Sequence, residues 1–167
     1  MIPKVLKNFT AYVDGRGYAG RVAEIELPKL TLVTDEHRAG GMDAAVDIDM
    51  GMEKLEATAT FSEYDPALFR QFGLVEGANV ALVFRGAQQK GSETAEPVVV
   101  TMRGGFKELD QGSWKPGEKT ALKTGIAIRY YKLQIGGETV VEIDIDNMKR
   151  IIGGVDQLAS QRTALGI

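Results

Sequence analysis

The most informative stretch of the chain is Leu122–Ile135, which reads LKTGIAIRYYKLQI. Its apolar residues first occupy even positions, from Leu122 to Tyr130, and then odd positions, from Tyr131 to Ile135. Successive side chains of a β-strand point to opposite faces, so a change of phase by one residue predicts a β-bulge or a sharp bend near Tyr130 and Tyr131. We therefore expect one long strand that serves two sheets.

The segments around this stretch predict an antiparallel meander. Gly136-Gly137 separates it from the apolar run Thr139–Val141, a spacing that suits a two-residue hairpin turn with positive φ angles. Shorter turn signals occur at Asp14-Gly15, Val75-Glu76-Gly77 and Trp114–Gly117.

A second strand with one polar face is predicted at Leu55–Ser62, where apolar and polar residues alternate strictly. The apolar face holds Leu55, Ala57, Ala59 and Phe61. The polar face holds Glu56, Thr58, Thr60 and Ser62.

Two helices are predicted. Asp65–Gly73 has a carboxylate at the N-cap position, proline at the first helical position and glycine after the end, which indicates a helix of about two turns. The segment Val155–Leu165 repeats apolar residues with helical spacing after the flexible pair Gly153-Gly154. It predicts an amphipathic C-terminal helix over about 155–165, which either covers its own sandwich or faces a partner.

Length and composition limit the possible classes of protein. The 167 residues correspond to a single domain spanning 1–167, and the 20 glycines suit a mainly β chain rich in turns. The chain has no cysteine, one histidine and a net charge of −3, which excludes disulfide frameworks, thiolate chemistry and a strongly basic nucleic-acid binder. No apolar run is long enough to span a membrane, and no export signal is visible, so we expect an intracellular origin.

The segment from Asp35 to Glu56 is acidic and rich in glycine and methionine, with seven acidic residues against two basic ones. Charge repulsion and glycine favour a mobile loop over about 35–54, and the methionines favour an adaptable surface that a partner covers. The alternative is an ordinary long hairpin packed on its own domain. As candidates for contacts with another subunit or ring we take Gly40, Gly41, Met42, Asp43, Asp47, Asp49 and Met50.

Three motifs resemble binding or catalytic motifs, but the sequence around each lacks the further residues or elements that such a site needs. Gly15–Gly20 matches GxGxxG, but an alternating segment follows it rather than a helix, so we interpret it as a hairpin turn. Asp47-Ile48-Asp49 and Asp144-Ile145-Asp146 lack the spaced ligands of a calcium loop. His37 lies in a polar stretch typical of a solvated imidazole. We expect no catalytic residue, no cofactor and no metal.

Several strings together resemble the major tail tube proteins of contractile-tailed phages and R-type pyocins. They run in order along nearly the whole chain: Tyr12–Gly15, Leu27–Leu30, Arg38–Ala44, Asp47–Gly51, Lys107–Asp110, Tyr130–Leu133 and Gly153–Leu158. The resemblance implies a ring-forming antiparallel β-sandwich or barrel with one short helix and a C-terminal helix. It also implies a structural subunit, not an enzyme, that stacks as hexameric rings into a hollow conduit for DNA or for envelope puncture.

The resemblance further implies partners and a location. The partners are other copies of the chain, the tail sheath protein, and the baseplate and tail terminator proteins, while DNA would pass through without specific binding. The location is a virion tail or a phage tail-like particle assembled in the bacterial cytoplasm. Alternatives are a tube protein of type VI secretion and a small β-barrel that binds an apolar ligand.

Within that picture, two further surfaces have expected roles. A bore through which cargo slides should be polar and not basic, so we expect Glu56, Thr58, Thr60 and Ser62 to face the lumen, the alternative being an outer solvent face. The polar side of the C-terminal helix should face the sheath with Gln157, Gln161 and Arg162.

Overall fold

The computed structural model describes residues 1–73 and 79–167. The turn expected at Val75-Glu76-Gly77 lies outside these residues. The described part of the chain has twelve strands and two short helices, in the following order: β1 Val5–Val13, β2 Arg16–Gly17, β3 Val22–Glu26, β4 Leu32–His37, β5 Val46–Met52, β6 Leu55–Phe61, α1 Pro66–Phe69, β7 Val80–Gln89, β8 Glu96–Asp110, β9 Leu122–Ile135, β10 Glu138–Asp144, β11 Lys149–Ile152, β12 Val155–Asp156 and α2 Ala159–Leu165. No helix in the described part is long and apolar enough to cross a membrane.

Ten of the strands form one antiparallel sheet. Its main path runs β12-β11-β10-β9-β8-β7-β1-β2, and β6 branches from β9 and carries β3 on its other side. Strands β4 and β5 form a separate two-stranded sheet. The predicted mainly antiparallel fold is confirmed.

Strand β9 is the branch point of this sheet. One edge pairs with β8 along nearly its whole length. The other edge pairs with β6 over Leu122–Ile128 and with β10 over Tyr130–Ile135. The ladder with β8 skips Arg129, a β-bulge where the phase of the sequence changes. The prediction of one strand shared between two groups of strands is therefore confirmed.

The bulge brings two backbones close together at Gly104 of β8. A Cβ atom at this position would lie 1.9 Å from the carbonyl oxygen of Ala127 on β9. Only a residue without a side chain allows this approach, so Gly104 is needed for the β-bulge that changes the direction of β9.

The core lies under the buried faces of these strands. Strand β6 buries Leu55, Ala57, Ala59 and Phe61 as its alternation predicts. Tyr18 packs edge-on against Phe61 with ring centroids 5.3 Å apart. The buried hydroxyl of Thr124 donates a hydrogen bond to the carbonyl oxygen of Ala59 (2.9 Å), which satisfies its polar group inside the core.

The predicted glycine turn after β9 and the first helix form at the expected residues. Gly136 and Gly137 have φ angles of +59° and +85° and join β9 to β10. The side chain of Asp65 accepts a hydrogen bond from the backbone N–H of Ala67 (2.9 Å) and caps α1. This helix is one turn long, shorter than the two turns expected.

The predicted start of the C-terminal helix, near Val155, was wrong. Gly153 and Gly154, with φ angles of +58° and +84°, form a tight turn, and Val155 then pairs with Ile152 in β12. The helix begins only at Ala159 and contributes no buried residue. It therefore does not cover the face of its own sandwich.

Replacing Gly104 with alanine should destabilise the subunit by about 1–3 kcal/mol, because the new methyl group meets the backbone of β9 and not a movable side chain. The measurement is the urea midpoint of unfolding. Gly40→Ala is the matched control, because a Cβ atom there meets nothing within 4 Å. Equal midpoints for the two variants would contradict the proposed role of Gly104.

Candidate assembly surfaces

Among the described strands of the ten-stranded sheet, β1 and β3 leave the longest outer edges open. Strand β1 pairs with β7 on one side, but on the other side only Tyr12 and Val13 pair, with β2. Strand β3 pairs with β6 alone. The backbone N–H of Phe9 donates to the side-chain oxygen of its neighbour Asn8 (2.9 Å) instead of to a strand. Within residues 1–73 and 79–167, the sheet is therefore not closed on itself, and both edges can accept a further strand.

The polar face of β6 continues across the neighbouring strands. Thr58 and Thr60 lie opposite Glu26 and Glu24 on β3 and opposite Gly125 and Lys123 on β9. Ser62 lies just beyond the end of β6 and is exposed. The face is thus polar, with Glu24 and Glu26 beside Lys123, and it is not basic, as the sequence predicts.

A small network of charges crosses this face at Glu56. Its carboxylate accepts hydrogen bonds from the ammonium groups of Lys107 on β8 and Lys54, the latter at 3.0 Å. These hydrogen bonds hold the pKa of Glu56 below its usual value, with Lys107 making the larger contribution. Alternation along β6 could not reveal the contact with Lys107, because Lys107 lies 51 residues away from Glu56 in sequence.

The acidic segment forms a hairpin of β4 and β5, named the acidic hairpin below. The expectation of a loop was wrong in its secondary structure, while its mobility stays a prediction. Asp35 pairs with Ile48 and His37 pairs with Val46, and the connection between the strands holds Gly40, Gly41, Met42 and Asp43. Nearly every residue of the hairpin is exposed, so it does not pack as an ordinary hairpin on its own domain either.

One acidic residue of the hairpin is held by the body of the subunit. The Asp49 carboxylate lies 2.5 Å from the guanidinium of Arg150 on β11. Arg150 is only 7% exposed. The pKa of Asp49 is lowered, first by the hydrogen bond from the backbone N–H of Gly51 and then by that from Arg150. The buried Nε of Arg150 has no hydrogen-bond partner in the described part of the chain. Arg150 therefore depends on Asp49 for its counter-charge.

The sequence analysis did not predict the ion pair between Asp49 and Arg150. The two residues are 101 positions apart, and Arg150 follows a turn like any surface arginine. Asp49 was expected to reach another subunit together with Asp43 and Asp47. The structure instead uses Asp49 within its own chain.

The C-terminal segment presents two of its three predicted side chains to solvent. Gln157 and Gln161 are exposed. Arg162 was expected to point outward, but its guanidinium binds the Asp156 carboxylate (2.5 Å) and the backbone oxygen of Met148 (2.8 Å). That expectation was wrong, and Arg162 instead anchors α2 to the body.

The motifs of the sequence have structural roles in the described residues. Gly15–Gly20 encloses β2 and leads into β3 with no helix after it, so it is a hairpin turn. Asp146 pairs with Arg129 (2.6 Å), and Asp144 accepts hydrogen bonds from Asn147. Among the described residues, no group of three or more His, Asp or Glu side chains is placed to hold a metal ion.

The comparisons with known proteins identify the family of the chain. The model of the family described as phage tail tube protein FII matches residues 3–166. The tail tube protein of Escherichia phage P2 is 31% identical over 171 residues and covers 99% of both chains. The chain belongs to the phage tail tube protein family. A second relative, the major tail tube protein of Serratia phage KSP20, is 34% identical over 148 residues, or 87% of this chain and 85% of the relative.

Solved structures share the fold of this tail tube protein. A chain of the sheath–tube complex of the extracellular contractile injection system PVC, in the extended state, superposes with a TM-score of 0.60 and 11% identity. It covers 79% of this chain and 91% of that chain. A chain of the PVC sheath/tube terminator structure gives the same score at 10% identity, with 80% and 98% covered.

The family relationship confirms the prediction that this chain is a structural subunit of a tail tube. The relatives are structural proteins of the phage tail, so this chain is a structural tail component and not an enzyme. The resemblance seen in the sequence is confirmed.

Replacing Asp49 with asparagine should lower the urea midpoint of unfolding at pH 7, because the buried guanidinium of Arg150 loses its counter-charge. The lowered pKa of Asp49 means that its contribution is present at neutral pH and is lost as the pH falls through that pKa. The midpoints of the variant and the original chain should therefore converge in acid. Asp47→Asn, on the same strand, is the control with no expected change, and equal losses in both variants would contradict the assignment.

Proposed function

We propose that this tail tube protein assembles into hexameric rings that stack as a hollow conduit. The observation that carries the proposal is the pair of open edges on β1 and β3. Unpaired backbone groups at the edges of a sheet favour pairing with another strand, and a closed ring of identical copies allows each of these two edges to pair with a neighbour. The conduit would serve the passage of DNA or the puncture of a cell envelope, and assembly would occur in the bacterial cytoplasm.

The polar face of β6 lines the bore in this proposal. Glu24, Glu26 and Glu56 surround a row of threonines and match the three lysines of this face in number. The face therefore has no net positive charge, which suits a surface over which nucleic acid slides without binding. Lys107 and Lys54 are held by Glu56 and do not form an isolated basic patch.

The acidic hairpin makes the contact between neighbouring subunits or rings. The contact residues lie at its tip and on β5, and all but Met42 are exposed: Gly40, Gly41, Met42, Asp43, Asp47 and Met50. Asp49 orients the hairpin and does not itself reach the neighbour. Charge selects the orientation of such a contact, while apolar burial and edge pairing supply most of its free energy.

The outer surface contacts a tail sheath through Gln157 and Gln161. Tube and sheath occur together in the PVC complex that shares this fold, and a terminator occurs in the second PVC structure. We place a sheath protein, a terminator and a baseplate protein among the partners of this chain.

The proposal predicts rings or tubes from the purified chain, seen by size-exclusion chromatography and negative-stain electron microscopy. A map of the tube should show sixfold symmetry, with Glu56, Thr58, Thr60 and Ser62 on the inner wall.

Phe9→Pro removes a backbone N–H that does not take part in the hydrogen bonds to β7, so this variant should fold but form no rings.

Phe9→Ala is the control for that variant, since it loses the same aromatic ring but keeps the backbone N–H. It should form more rings than Phe9→Pro, because the two variants differ in the backbone N–H. Concentrated original chain that stays monomeric would overturn the proposal, and rings from Phe9→Pro would exclude β1 as the joining edge.

A chain truncated after Leu158 should keep its fold and its rings, because α2 buries no residue. It should bind sheath protein more weakly, because Gln161 is removed, and co-sedimentation with assembled tubes measures the binding. The double variant Gln157→Ala, Gln161→Ala tests the side chains without removing the helix. Sheath binding at the original level by the truncated tubes would contradict the outward role of this segment.

A further inference from the structure

The two faces of the acidic hairpin differ in character. On β5, Asp47 and Asp49 alternate with Val46, Ile48 and Met50. Asp49 binds Arg150, so its face is directed toward the body, and the three apolar residues lie on the opposite face. Their side chains are 44–61% exposed, and we call them the apolar stripe.

A second apolar surface lies uncovered between β1 and β3, and we call it the edge groove. It has a volume of about 130 Å³ and lies where the two edge strands approach each other without pairing. Its walls are almost entirely apolar: Leu6, Phe9, Ile25, Leu27, Phe84 and Val98. This volume is below the ~300 Å³ of typical small-molecule sites, so side chains fit it better than a ligand does.

The apolar stripe does not cover the edge groove of its own chain. Asp49 fixes the hairpin at β11, while the groove lies at β1 and β7, near the other end of the strand order. None of the three stripe residues lines the groove. Both surfaces therefore stay exposed in a single subunit.

Charge favours a match between the two surfaces. Arg85 lines the groove, is exposed and has no ion-pair partner in the described part of the chain. Asp35 lies directly across from Ile48 and so shares the face of the stripe. A stripe seated in the groove of a second copy would bring the Asp35 carboxylate toward the Arg85 guanidinium.

We propose that the apolar stripe Val46-Ile48-Met50 of one subunit docks into the edge groove of a second copy. Because stripe and groove are different surfaces, the contact is head-to-tail and repeats from copy to copy. The inference rests on the proposed function, to which it adds the surface that receives the hairpin. It also gives the hairpin an apolar anchor and leaves the acids to select the register.

The absence of cysteine allows a direct test. Copies carrying Ile48→Cys are mixed with copies carrying Leu27→Cys, assembled, treated with a short bismaleimide crosslinker and separated by denaturing electrophoresis. We expect covalent dimers that contain one copy of each kind, severalfold more than in a matched mixture of Asp47→Cys with Leu27→Cys. Asp47 is the neighbour of Ile48 on the opposite face, so the comparison isolates the face of the hairpin.

Unmodified tubes provide a second measurement that does not depend on the cysteine variants. Hydrogen exchange should slow on assembly in residues 46–50 and, in the same step, in residues 25–27 and 84–86. Tubes that form without crosslinks above the Asp47→Cys control, or with protection of residues 46–50 alone, would overturn the docking while leaving the proposed function intact. Failure of the unmodified chain to assemble would overturn both.

Discussion

The β8–β9 ladder, with its bulge at Arg129, is the feature on which the rest of the subunit depends. A strand has two edges, and β8 occupies one of them along nearly the whole of β9. The bulge divides the other edge between β6 and β10. Without the change of direction at Arg129, β6 and β10 would compete for the same edge and only one group of strands could be attached. The close approach of Gly104 to Ala127 shows how little space this geometry leaves.

Much of this arrangement could be predicted from local patterns. The phase change between Tyr130 and Tyr131, the alternation of β6 and the glycine pair at 136 and 137 each specify a structure within a few residues, and each was confirmed. Predictions failed where two patterns overlapped. Val155 has helical spacing to later apolar residues, but the glycine turn before it pairs it first with Ile152.

The assembly surfaces were less predictable, because their key contacts join distant parts of the chain. Repulsion among the acids of the hairpin suggested a loop, and only the position of Arg150 shows why Asp49 is held. The polarity of Arg162 suggested a solvent-facing side chain, whereas Asp156 and Met148 draw it inward. Periodicity assigns a residue to a face but does not identify the partner that lies against that face.

The Asp49–Arg150 pair also explains how an extended hairpin can serve assembly. A hairpin that buries almost nothing in its own subunit would otherwise sample many orientations, and each contact with a neighbour would have to restrict them. The buried guanidinium of Arg150 has its counter-charge on the hairpin, and leaving it unpaired is unfavourable. The ion pair therefore restricts the orientations of the hairpin before a neighbour binds. An apolar contact at the same place would hold the hairpin through burial alone, without the directional constraint of a charged hydrogen bond. The ion pair therefore fixes which face of β5 is turned away from the body, and in the proposed docking this choice presents the face of Ile48 to the groove of a neighbouring copy.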